Sequence, residues 1–234
     1  MTSALIQEPF DPSMTPTLVD AVADALREAI LSGRMVPEQR LVESELAREL
    51  RVSRGSVREA LSLLTKEGIV VQVPRRGKFV QGFTPRLVDE LYSLRMVLEP
   101  YAAKRVVDHL DEHGRERLET ALATIAESVR ANDAQALARS DIAFHDLLYE
   151  LADHDLLTRA WQENIAGKLR ILLNVTTRTL SALADAEQQH RRILEPILAG
   201  DAELVQVRLV GHIAEAAERA RAGLAGRPVG APGQ

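Results

Sequence analysis

The chain has 234 residues, 46% of them apolar, and a formal net charge of −5, enough for one large core or two modest ones. It contains no cysteine, which excludes disulfides, thiol catalysis and cysteine-ligated metals. Charge interrupts every apolar run, and the opening MTSALIQEPFDPSM has no basic stretch leading into a long apolar one, so neither a membrane span nor a secretory signal is expected, and a cytoplasmic location is.

Residues 1–15, with Pro9 and Pro12, read as a flexible arm. Helical spacing of Leu18, Val22, Leu26 and Ile30 then predicts a helix that Gly33 ends. The connector RMVPEQRL leads to a second helix over Glu43–Leu50. Arg51-Val52-Ser53 is a brief turn, and Ser53 is an N-cap for a third helix that buries Val57, Ala60, Leu61 and Leu64 and stops at Gly68. Ile69–Val73 and Lys78–Gln81 are strand-like, with Pro74-Arg75-Arg76-Gly77 turning between them. Helix, turn, helix and hairpin in that order predict a winged helix-turn-helix head over residues 16–82. After a linker at Gly82–Pro85 the pattern predicts helices near 86–109, 113–131, 133–152, 155–180, 182–199 and 201–223, so 83–224 reads as an all-α body. GRPVGAPGQ, within 225–234, has the composition of a disordered tail. The fold class expected is mainly α, a winged head followed by a helical bundle.

The acidic chain has a basic head. From Glu45 to Val80 eight Lys or Arg face four Glu, a local balance of +4, and phosphate responds to local charge. Arg54 and Arg58 are four residues apart and share the face of the third helix opposite its apolar stripe. Arg54 and Ser56 fall in its first turn, where a recognition helix meets base edges and phosphates. Arginine can pair with guanine through two hydrogen bonds and serine can hold phosphate. Arg76-Gly77 at the hairpin tip would reach the flanking minor groove or backbone.

These residues carry a resemblance. ELA at 45–47, VSRGSVREAL at 52–61, EGIV at 67–70 and RRGKFV at 75–80 make residues 17–81 similar to the DNA-binding domain of GntR-family bacterial transcription regulators. The resemblance implies DNA contacts by Arg54, Ser56, Arg58, Arg76 and Gly77. It departs at Ser44, where many members place a DNA-contacting arginine, which puts operator preference in doubt.

A second constellation lies downstream. Asp141 and His145 are four residues apart on one helix, and His190 and His212 sit beside apolar positions of two later helices. One carboxylate with imidazoles suits a first-row divalent ion. Single histidines on helices are more often core or surface residues, and His109, His113 and His154 read that way. LRMVLEPYAAKRV, DIAFHDLL, HRRILEPILAGD and VGHI make residues 86–222 resemble the FCD effector-binding domain of the FadR-type subfamily. That resemblance implies a metal on Asp141, His145, His190 and His212, most often zinc, with nickel or manganese as alternatives. Four protein ligands leave open positions on an octahedral ion that a small organic acid could fill; Arg95, in the family's Arg-x-x-x-Glu pattern, and Arg170 and Asn174, polar residues that interrupt the apolar helix IAGKLRILLNV, are candidates to hold it. Arg95 has a plain alternative, an i, i+4 pair with Glu99.

The function expected is a ligand-responsive, non-enzymatic DNA-binding regulator, a repressor acting as a homodimer on a palindromic operator, with no membrane partner. The alternatives are a metal-dependent hydrolase fused to a DNA-binding head, and a constitutive repressor with a purely structural metal.

Overall fold

The computed structural model describes residues 17–176 and 185–225. The expectations for residues 1–15, for 177–180 and for the tail beyond Ala225 lie outside the described residues.

The head is built from α1 (Leu18–Leu31), β1 (Arg40–Leu41), α2 (Glu43–Leu50), α3 (Arg54–Lys66), β2 (Val70–Val73) and β3 (Gly77–Val80). Thr17 caps α1 reciprocally with Asp20, and the Ser53 hydroxyl accepts from Ser56 N at 3.0 Å to start α3. Arg51 ends α2 in the left-handed region, at φ 55°, which makes the tight turn between the two helices. Val22, Leu26, Ile30, Leu46, Val57, Leu61 and Leu64 are buried together as the head's core. The sheet has three strands, ordered β1-β3-β2, where the sequence suggested a hairpin alone. The added strand lies in RMVPEQRL. It is two residues long, too short to show a period of two, and it is fixed by long-range pairing of Arg40 with Phe79 and Leu41 with Lys78.

The body comprises α4 (Pro85–His109), α5 (Glu112–Arg130), α6 (Ala134–Leu151), α7 (Asp155–Trp161), α8 (Gly167–Thr176), α9 (Ala186–Ala199) and α10 (Ala202–Ala225). Their inward stripes enclose a second core around Tyr92, Phe144, Leu148, Trp161, Leu169, Ile193 and Leu209. The single helix expected over 155–180 is two α-helices joined by a π-helical turn, Gln162–Ala166. Such a turn has no residue signature of its own, so continuous helical composition over this stretch reads as one helix. Gly82–Pro85 is a linker that is packed: Phe83 lies against both cores, and Thr84 caps α4. No helix among the described residues is long and apolar enough to cross a membrane.

Head and body meet along α8. Its Ile171 is buried in the head's core. Asn174 Nδ2 donates to the Leu31 carbonyl at the end of α1. Gln135 of α6 donates to the Ser32 carbonyl at 3.1 Å. At the start of α8, Gly167 is pressed against Ile69 and the Glu67 carbonyl, so closely that a Cβ there would overlap Ile69 Cγ2.

Candidate metal centre and nucleic-acid interface

Helix α3 carries Arg54 and Arg58 outward, both exposed, while Val57, Ala60, Leu61 and Leu64 are buried beneath them. Arg58 Nε donates to Glu43 Oε2 at 3.0 Å, so α2 steadies this arginine while its side chain stays 66% exposed. The Ser56 hydroxyl is 2.9 Å from that of its cap, Ser53. At the wing, Val73 O accepts from Arg76 N at 3.1 Å across a turn that puts Arg75 at φ 63°. Gly77 follows at φ 106°, a conformation that disfavours any side chain. The Arg76 guanidinium lies over the Phe79 ring, 5.9 Å from its centroid. Lys78 reaches back to α3, its Nζ 3.3 Å from Arg58 O and 3.4 Å from Ser62 Oγ. The exposed Arg40 on β1 extends under Gly77. Arg40 joins this basic face only through the strand pairing that the sequence did not reveal.

In the body, α6, α9 and α10 bring Asp141, His145, His190 and His212 together. One ligand atom from each lies within 4.8 Å of all the others. The three histidines are buried, and Asp141 keeps 20% of its side chain exposed. His190 Nδ1 donates to the Ala186 carbonyl at 2.8 Å, which leaves Nε2 as the lone-pair nitrogen, 3.3 Å from Asp141 Oδ1. His190 Nε2 and His212 Nδ1 are buried without hydrogen-bond partners. Burial first, then the neighbouring His190 and His145, push His212 well below the usual histidine range, so it is neutral and able to ligate. Burial would raise Asp141, but its contact with His190, and then the nearness of His145 and His212, outweigh this and hold it below the usual carboxylate range. Orphaned imidazole nitrogens converging on an ionised carboxylate are the donor set a divalent cation requires. The residues present therefore fit the metal that the family resemblance implies.

Arg95 and Glu99 support this cluster from α4. Arg95 forks onto Glu99, and both are almost fully buried. Glu99 Oε2 is also 2.7 Å from His145 Nδ1, off the axis of a good hydrogen bond, and Arg95 Nη2 is 3.3 Å from His145 Nε2. Burial pushes Glu99 up, but the Arg95 charge, followed by His145, holds it down to about 2. A carboxylate beside a ligating imidazole orients the ring. Arg95 thus makes the pair with Glu99 and also lines the cavity beside Asp141.

Arg170 and Asn174 do not reach this cavity, a correction to the sequence reading. Arg170 is ion-paired with Asp146, which also accepts from Trp161 Nε1 at 2.6 Å. Asn174 is held by Leu31 O at the head–body seam. Four residues apart on α8, they share a face that meets Asp146 and the end of α1, and Leu173 and Thr176 line the cavity instead. Among the lining residues that the sequence reading missed are Tyr92, Gln189 and Arg219. Arg219 Nη2 donates to Gln189 Oε1 at 3.2 Å, and Gln189 donates to Glu215 at 3.2 Å, a polar link between α9 and α10. None belongs to a recognisable motif, and only the packing of α4, α9 and α10 aligns them.

Comparison with known proteins gives two family matches. Residues 18–80 match the family described as bacterial regulatory proteins, gntR family, and residues 90–215 match the FCD domain. The chain is 33% identical over 176 residues to the gluconate operon transcriptional repressor of Bacillus subtilis (strain 168), covering 74% of this chain and 70% of the relative. It is 30% identical over 193 residues to the repressor of the same name from Bacillus licheniformis, covering 79% and 77%. The crystal structure of a GntR transcriptional regulator from Rhodococcus sp. RHA1 superposes with a TM-score of 0.76 at 25% identity, covering 90% of this chain and 99% of that one.

Proposed function

Since this chain belongs to the GntR family of DNA-binding transcriptional regulators and carries an FCD domain as its body, we propose that it is a repressor whose hold on DNA is set by a small organic acid bound at a divalent metal, zinc foremost. The observation that carries the reading is the convergence of Asp141, His145, His190 and His212, with orphaned ring nitrogens, on a cavity one helix away from the head.

When bound, the ion would supply a positive centre with coordination positions left over for ligand oxygen. The chain's own residues do the rest. Glu99 and Arg95 hold His145 in place. Leu173 and Thr176 face the cavity, while Ile171 and Asn174 on the same helix grip the head. A ligand that shifts α8 therefore shifts the seam, and the π-helical turn before α8 is a distortion frequent at functional sites. In the groove, Arg54, Ser56 and Arg58 read bases and phosphate, with Arg76 and Gly77 on the flank.

The body's outer face supports operator reading by a homodimer. Leu94, Val97 and Tyr101 of α4 and Leu204, Val207 and Val210 of α10 are exposed apolar side chains, Val97 at 70% and Val207 at 68%. An apolar stripe shared by two long helices suits a second copy of itself. Two heads then meet two half-sites of a palindrome. The hydrolase reading finds no support: the named relatives are repressors, and the spare carboxylate Asp146 is held by Arg170 and Trp161 outside the cavity. A decisive test is metal content. Protein purified without chelator should carry one divalent ion per chain, and His190→Ala should lose it. Protein that has no metal and takes up neither zinc nor nickel contradicts the proposal.

A further inference from the structure

Strand β1 carries a cation to the wing. Backbone hydrogen bonds pin the approach to it: Glu38 N donates to Val80 O at 3.0 Å, and Val80 N donates to Gln39 O at 2.9 Å. Leu41 is buried in the head's core, so the alternation of a strand turns Arg40 outward, and Arg40 is exposed. On that outer face Arg40 stands opposite Phe79, over whose ring the Arg76 guanidinium lies. The Arg40 guanidinium also reaches the wing's turn: a Cβ on Gly77 would stand 3.8 Å from its Nε and 4.0 Å from its Nη2.

This cation is uncommitted. Among the described residues Arg40 forms no ion pair, and the acids on either side of it in sequence are engaged elsewhere. Glu43 accepts from Arg58, and the Glu38 side chain is turned onto Gly82. Arg40 and Arg76 therefore flank Phe79 as two like charges, an arrangement that a polyanion relieves. Arg40 lies on the sheet beneath the tip of the hairpin, set back from any base edge that the tip meets. Phosphate runs along the rim of a groove, and a guanidinium can grip it through two N–H groups.

From these observations we infer that Arg40 is a further DNA contact of this chain, a clamp on the phosphate backbone beside the groove that Arg76 and Gly77 enter. It fixes the position of the wing and reads no base. The inference rests on the reading that the wing lies against DNA, and it is independent of what binds the body.

The test measures affinity of the full-length protein for an operator selected from random duplexes, and for a scrambled duplex, across a salt series. Arg40→Gln keeps a polar stem against Gly77 and removes the charge, Arg40→Lys keeps the charge, and Arg76→Gln reports on the wing itself. One phosphate contact contributes about 0.9 to the slope of log affinity against log salt. In Arg40→Gln the slope should be shallower by about that amount, so that affinity falls roughly three- to fourfold less between about 50 and 200 mM salt. Operator and scrambled duplex should weaken alike, within about twofold, and Arg40→Lys should keep the wild-type slope. A slope that falls in Arg76→Gln but not in Arg40→Gln overturns this inference and leaves the wing on DNA. A slope that falls in neither overturns the wing reading as well. Loss of discrimination between operator and scrambled duplex in Arg40→Gln makes Arg40 a base reader and overturns the phosphate clamp. A lower melting temperature in both Arg40 variants with the slope intact reduces Arg40 to packing beneath Gly77 and overturns it too.

Discussion

If α8 transmits ligand binding to the head, adding one methyl group at Gly167 should cut the link. A Cβ there would overlap Ile69 Cγ2 and lie 3.0 Å from the Glu67 carbonyl oxygen. Neither neighbour is the free end of a flexible chain, since Ile69 is 1% exposed and Glu67 contributes backbone. The head must therefore move off α8. Overpacking of this kind costs about 1–3 kcal/mol, while alanine for glycine within a helix returns roughly 1 kcal/mol. The net loss of stability should be about 0–2 kcal/mol, small enough for Gly167→Ala to fold. Metal content and acid affinity should stay within about twofold of wild type, because the cavity-facing Leu173 and Thr176 lie more than one turn further along the helix. Allosteric couplings are commonly ~1–3 kcal/mol, or about 5–150-fold in affinity. In Gly167→Ala the acid's effect on operator affinity should shrink below about twofold. Fluorescence anisotropy on operator DNA, selected by the protein from random duplexes, reads this directly at fixed salt. Wild-type coupling in a variant whose head and body both stay folded would refute the α8 route.

Arg54→Ala and Arg58→Ala should each cost about 1–3 kcal/mol of operator discrimination with an unchanged circular dichroism spectrum; specific affinity equal to wild type in both would remove α3 from the groove. Glu99→Ala strands Arg95 as a buried unpaired cation and should lower stability by about 3–5 kcal/mol, seen as a large drop in thermal midpoint, whereas a midpoint within a degree or two of wild type would mean that the pair carries no weight. Val97→Lys combined with Val207→Lys should convert a dimer to a monomer in sedimentation and weaken operator binding, and a persistent dimer would place the interface elsewhere.

The sequence made some parts of this molecule legible and hid others for physical reasons. The helix-turn-helix could be read because Ser53, Gly68 and the Val57-Leu61-Leu64 stripe are local signals, each acting within a turn or two. Strand β1 could not, because two residues show no alternation and their pairing partners lie nearly forty positions away. In the body, Asp141 and His145 are one turn apart and His190 and His212 stand beside apolar helix positions, which offered the four as a metal set, and family resemblance strengthened that reading. Arg170 and Asn174 were misjudged because two polar residues in an apolar helix need partners, and helical spacing does not say which. Those partners are Asp146 and the end of α1. Tyr92 belongs to no motif, and nothing local in the sequence assigns it to the cavity that it lines.

The account turns on communication between the metal cavity and the DNA-reading helix. The most direct measurement is the affinity of the zinc-loaded, full-length protein for its selected operator, with and without a saturating small organic acid. The account predicts a change of about 5–150-fold, matched by the same factor in the acid's affinity when operator is present. Acid bound at the cavity, abolished by Asp141→Ala, together with an operator affinity that does not change, would contradict it.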